Sequence, residues 1–115
     1  MSVEFYGIPN CDTVKKARTW LEAKGVEYAF HDYKKEGAEP AKLAAWSDAA
    51  GWEVLLNRRG TTFRALSDAD KADIDRAKAI RLMEANPSLI KRPVVEHGGA
   101  LLVGFDPVEW ERSLG

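Results

Sequence analysis

The chain has 115 residues, enough for one compact domain and too few for two halves with good cores. Apolar residues make up 45% and charged residues 30%, a globular rather than a disordered balance. The formal net charge of -1 provides no overall attraction to nucleic acid or to acidic membranes, so neither is an expected partner.

No apolar run approaches the roughly 20 residues that span a bilayer. Residues 1–7 lack the basic stretch and long apolar region of a secretion signal. One cysteine cannot close an internal disulfide. Together these features point to the reducing cytosol, and a cytoplasmic monomer is expected. Cys11, His31 and His97 have none of the short ligand spacings of a zinc site, so no metal is expected.

Val3, Phe5 and Tyr6 place a strand over residues 3–7, and Ile8-Pro9-Asn10 reads as a turn. A helix is expected over 12–24, with Val14, Ala17 and Leu21 on one face and Gly25 as its stop. Val26, Tyr28 and Phe30 alternate with Glu27, Ala29 and His31, which predicts a second strand over 26–31. Strand, helix and strand at this spacing form a βαβ unit with parallel strands and a right-handed crossover.

The middle of the chain reads as helical. Pro40 suits a first turn, Leu43, Ala44 and Trp46 continue it, and Gly51 ends it. Residues 52–57 suggest a short helix. Ser67 with Asp70 resembles a capping box, and from there to Asn86 one long helix or two shorter ones fit equally. Pro93 to His97, Gly98-Gly99, and Ala100 to Val103 read as a hairpin. Asp106 and Pro107 open a last helix running to about Leu114. This order predicts a mixed sheet with helices packed around it, in which the helical block is an insertion over about residues 36–86.

A lone cysteine is most simply a small buried hydrophobe. The position of Cys11 argues for more. It lies between the turn and the first helix, where unpaired backbone N–H groups and the helix dipole favour negative charge. Lys15 is one turn further on the same face, and Asp12 opposes its effect. The balance favours the thiolate over the free thiol, whose pKa is about 8.5. A single thiol can attack a disulfide but cannot resolve the product, because position 14 is Val14. An external thiol must finish the cycle, and glutathione is the expected one.

Tyr6-Gly7-Ile8-Pro9-Asn10-Cys11-Asp12-Thr13, Leu56-Asn57-Arg58-Arg59-Gly60-Thr61-Thr62 and Ile90-Lys91-Arg92-Pro93 resemble the ArsC/Spx family, in particular its YffB-type branch. The resemblance spans nearly the whole chain. It implies an α/β, thioredoxin-like fold with a mixed four-stranded sheet and a helical insertion, and it places the family's nucleophile at Cys11. It also implies that Arg92-Pro93 is the family's Arg-Pro step, whose proline is typically cis. Arg92 would then meet an anionic substrate group. The first of the arginines that surround the oxyanion in arsenate reductases falls on Arg58 or Arg59, and the second on Arg92. With Asn10, Thr13, Lys15 and Pro93 these form the expected substrate-binding set.

No arginine stands near Gly104-Phe105-Asp106-Pro107, where the third would fall, and Cys11-Asp12-Thr13-Val14-Lys15 replaces the Cys-Gly-Thr-Ser-Arg run of those enzymes. The expected function is therefore a glutathione-dependent thiol or disulfide reductase. It would act on a small molecule or mixed disulfide, with no bound cofactor, glutathione as cosubstrate and glutaredoxin as a second candidate partner. Arsenate reduction and an Spx-like regulatory role at RNA polymerase are the alternatives. Val14 stands where such regulators commonly carry a second cysteine.

Apart from the resemblance, Arg58, Arg59 and Arg64 read as a solvated basic face. The tryptophans at 20, 46, 52 and 110 read as core or half-buried packing residues. His31 reads as a strand-edge residue and His97 as a hairpin position.

Overall fold

The structure is a computed structural model and describes residues 3–114. Its sheet has four strands in the order β2-β1-β3-β4. Strand β1 (Val3–Gly7) pairs in parallel with β2 (Tyr28–Asp32) and antiparallel with β3 (Val94–His97), which continues antiparallel into β4 (Ala100–Val103). The expected βαβ unit, hairpin and mixed sheet are all present, in the thioredoxin-like arrangement.

The chain divides into two compact units. One holds the residues up to Glu36 and from Arg92 onward, and the other is Gly37–Lys91. In the first unit, β1 alternates burial as a strand with one face against a core must: Val3, Phe5 and Gly7 are buried, while Glu4 and Tyr6 are half-buried. Helix α1 (Asp12–Ala23) turns Val14, Ala17 and Leu21 onto that face. Register brings Phe5, Val95 and Leu102 into line across the sheet. These side chains, with Val3 and Trp110, make the core of this unit.

Trp110 comes from the last helix, Pro107–Leu114, where Asp106 Oδ1 accepts the Val108 N–H at 3.0 Å in the expected capping role. Its ring meets Phe5, Trp20 and Phe105 edge-on, and its Nε1 donates to the Gly104 carbonyl at 3.1 Å. The one polar atom of a fully buried indole is thereby satisfied. Gly98 and Gly99 take φ values of 51° and 85°, as a two-residue hairpin turn requires.

Strand β2 starts two residues later than the alternation predicts. The Val26 N–H is committed to the Leu21 carbonyl at 2.9 Å and the Gly25 N–H to Glu22 at 3.1 Å, with Gly25 at φ 70°. That is a Schellman cap, and it consumes the first residues of the apparent strand. At its other end β2 gains Asp32, which pairs with Gly7.

The second unit contains α3 (Pro40–Ala50), α4 (Trp52–Leu55), α5 (Thr61–Arg64), α6 (Asp68–Lys71), α7 (Arg76–Ala85) and a 3-10 turn at Pro87–Leu89. Of the two options for residues 67–86, the shorter helices occur. Ala72 leaves the helix with ψ 143° and Asp73 has φ 50°, after which Asp75 caps a new helix by accepting the Lys78 N–H at 2.8 Å. Ser67 Oγ accepts the Asp70 N–H at 3.1 Å, as its spacing suggests. Helix α5 is an additional turn, and Leu56, expected in a helix, instead bridges to Ile90. Among the described residues no helix is long and apolar enough to cross a membrane.

Candidate functional site

Cys11 is the N-cap of α1, with extended backbone (φ -128°, ψ 128°). Its carbonyl accepts the Lys15 N–H at 2.9 Å, and its side chain makes no capping hydrogen bond. The helix therefore starts without using the sulfur. The residue is partly buried against the core of the first unit. Asn10, Thr13 and Lys15 are exposed around it.

Gly7 allows this loop to sit close to the sheet. A Cβ there would come within 3.1 Å of Val14 Cγ2, so the end of β1 and the first turn of α1 touch without space for a side chain.

Two other segments arrive at the same end of the sheet. Val94 pairs with Tyr6, which puts the preceding Arg92-Pro93 step beyond the C-terminal end of β1. The peptide between Arg92 and Pro93 is cis. Pro93 is buried, and its carbonyl accepts the Gly104 N–H at 2.8 Å, while Arg92 is half-buried. Asp32 pairs with Gly7, so Tyr33, the first residue of α2 (Tyr33–Glu36), follows directly at the end of β2. Asp32 Oδ1 accepts the N–H groups of Lys34 and Lys35 at 3.0 and 3.2 Å, which folds the chain around Tyr33. Open α/β sheets bind ligands at this location, beyond the carboxyl ends of their parallel strands.

Tyr33 is the residue that the sequence did not reveal. It is only 2% exposed. Burial, above all, holds its phenol protonated far beyond the usual tyrosine range. The Arg92 guanidinium acts in the opposite direction, and negative charge at Cys11 and Asp32 acts with burial. One hydroxyl thus senses the candidate nucleophile and the candidate substrate-binding arginine. The available signal was its place just after the second strand of a parallel pair.

Arg58 and Arg59 belong to the second unit and are exposed. They follow the Leu56 bridge in a turn where Asn57 Oδ1 accepts the Arg59 N–H at 3.1 Å and the Asn57 N–H donates to Leu89 at 2.7 Å. His31 lies on edge strand β2, with Nε2 3.3 Å from Glu4 Oε1 and its ring stacked on Tyr6 at 4.6 Å. His97 ends β3. Among the described residues no group of three or more His, Cys, Asp or Glu gathers as a metal site would require.

A thioredoxin-like sheet with one thiol at the start of its first helix and a cis-proline step opening the next central strand defines a protein of the thioredoxin-like class. Within that class the chain belongs to the ArsC family, whose profile matches residues 6–113. It is similar to a solved structure of a protein called YFFB, at 55% identity and a TM-score of 0.96, with 98% of this chain and 99% of that one covered. An arsenate reductase (ArsC) related protein from Brucella melitensis is 54% identical, with a TM-score of 0.78 over 97% of this chain and 93% of that one. The global transcriptional regulator Spx of Streptococcus mutans is 28% identical over 104 residues, covering 88% of this chain and 74% of the regulator.

Proposed function

We propose that the chain is a cytoplasmic, glutathione-dependent thiol reductase with Cys11 as its nucleophile. The observation that carries this reading is the sulfur at the N-cap of α1, unused by the cap and at the carboxyl end of β1. In the first step the Cys11 thiolate attacks the glutathione sulfur of a mixed disulfide. A Cys11–glutathione disulfide forms, and the substrate leaves as a thiolate that takes a proton from water. In the second step the thiolate of another glutathione attacks the glutathionyl sulfur, releasing glutathione disulfide and regenerating Cys11. One disulfide is reduced and one is formed. Val14, fully buried on the core side of α1, leaves no internal thiol for the second step.

Asn10, Thr13 and Lys15, exposed and near Cys11 in sequence, are assigned to hold the peptide. Arg92 is assigned to a carboxylate, for which a guanidinium fork is well matched. Turnover of a small glutathione mixed disulfide, followed with and without arsenate as a competing substrate, tests the reading. Thiol release that depends on Cys11 supports it, and no turnover of either substrate opposes it. The similarity to Spx supplies a second reading as a polymerase-binding regulator, and stoichiometric recovery of RNA polymerase with the chain would favour it.

A further inference from the structure

We propose that strand β4 is a docking edge for a second copy of this chain, so that two sheets join edge to edge in a weak, two-fold symmetric dimer. The proposal goes beyond the reductase reading and does not depend on it.

The alternating directions of backbone hydrogen bonds fix which groups of β4 are used. Gly98 and Gly99 turn the chain directly from His97 to Ala100, which makes that pair the hydrogen-bonded close of the hairpin. Gly104 shares the parity of Ala100 and Leu102, and its N–H reaches the Pro93 carbonyl at 2.8 Å. Ala100, Leu102 and Gly104 therefore point their backbone groups toward the β3 side. Leu101 and Val103 point theirs away, and β4 is the last strand of the sheet. Among the described residues no strand pairs with that outer row.

Soluble proteins usually guard such a row with charge, proline or a bulge. Strand β4 has none of these. Ala100-Leu101-Leu102-Val103 is uncharged and pairs residue for residue with β3, with Ala100 exposed and Leu101 and Val103 half-buried. The opposite edge, β2, carries His31 and Asp32 and runs into Lys34 and Lys35.

An extended strand satisfies the outer row, and a second β4 is such a strand with no charge to oppose it. Antiparallel pairing about Leu102 sets Leu101 opposite Val103 of the second copy. The outward groups of that pair exchange both N–H···O bonds, and the two-fold axis repeats the exchange. Leu102, on the core face, meets its own copy. A strand of four residues makes a small interface, so the association is weak. Both β4 edges are consumed and the charged β2 edges remain outside, so the assembly closes as a dimer.

Strand β4 runs parallel to β1, since both are antiparallel to β3. The two-fold axis thus puts the two Cys11 residues at opposite ends of the joined sheet, five strand spacings or about 24 Å apart in the pairing direction alone. The dimer does not bridge its copies through the thiol.

Sedimentation velocity of the intact chain under reducing conditions, from about 10 µM to about 1 mM, tests the proposal. The average mass should rise from one chain toward two, and Cys11→Ser should follow the same curve. Val103→Pro removes an outward N–H without touching the ladder to β3, a place where an edge strand tolerates proline, and should stay monomeric. Val108→Asp, at the 65% exposed valine of the last helix, should associate like the intact chain. A monomer at every concentration, undiminished association of Val103→Pro, or its loss in Val108→Asp or Cys11→Ser would each overturn the proposal. If Val103→Pro fails to fold, amide chemical shifts of the intact chain decide. The Leu101 and Val103 N–H signals should move with concentration more than those of Ala100 and Leu102, and no movement, or movement centred elsewhere, would overturn it. None of these readings involves turnover, so the reductase reading stands or falls separately.

Discussion

Replacing Gly7 with alanine tests how the fold holds the thiol loop. The added Cβ would lie 3.1 Å from Val14 Cγ2 and 3.4 Å from both Val14 Cγ1 and Phe5 Cε1. Val14 and Phe5 are fully buried, so neither can move into solvent to relieve the contact. The result is one methyl group too many in a filled core, a change that costs about 1–3 kcal/mol. Lower backbone entropy in the unfolded chain offsets about 0.4–1 kcal/mol of this. The expected net loss is about 1–2 kcal/mol, or a fall of roughly 4–10 °C in Tm for a domain of this size. Urea unfolding at neutral pH measures it, with an unchanged slope expected. Val14 is on the first turn of the helix that Cys11 caps, so the alkylation rate of Cys11 should change as well. Equal or higher stability for Gly7→Ala would refute the tight contact between the end of β1 and α1.

Tyr33 gives the fold a specific alkaline weakness. The folded protein keeps the phenolic proton well above the usual tyrosine pKa of about 10, whereas the unfolded chain releases it there. Above about pH 10 the native state binds more protons, so stability falls by about 1.4 kcal/mol per pH unit and is fully present below that pH. Tyr33→Phe should lack this part of the decline when the two proteins are compared by denaturant unfolding between pH 9 and about 11; parallel profiles would contradict it. Asp75→Ala removes the side chain that accepts the Lys78 N–H at 2.8 Å, and a loss of about 1 kcal/mol is expected in the same assay.

The first unit was largely legible in the sequence because its elements carry their own punctuation. The strand-forming Val3, Phe5 and Tyr6 mark β1, the Val14, Ala17 and Leu21 spacing marks α1, the Gly98-Gly99 pair marks the hairpin, and Asp106-Pro107 marks the last helix. The start of β2 was misplaced because Val26 fits a strand by side chain while its N–H closes a helix cap, and that choice is made by the backbone. In the second unit the turn at Thr61–Arg64 and the break at Asp73 depend on brief segments with no periodicity to read. Cys11 could be singled out because a turn and a helix start flank it in sequence. Tyr33 could not, since its relation to Cys11 and Arg92 exists only once Asp32 is paired with Gly7 and Val94 with Tyr6.

The most direct test of Cys11 as the reacting group combines turnover with intact mass. The chain is mixed with a glutathione mixed disulfide, sampled before and after glutathione is added, and compared with Cys11→Ser. The intact protein should gain one glutathionyl group at Cys11, lose it when glutathione is supplied, and release substrate thiol repeatedly. Cys11→Ser should retain its thermal unfolding transition and do none of these. Substrate release by Cys11→Ser at the rate of the intact protein would contradict the assignment of the chemistry to this thiol.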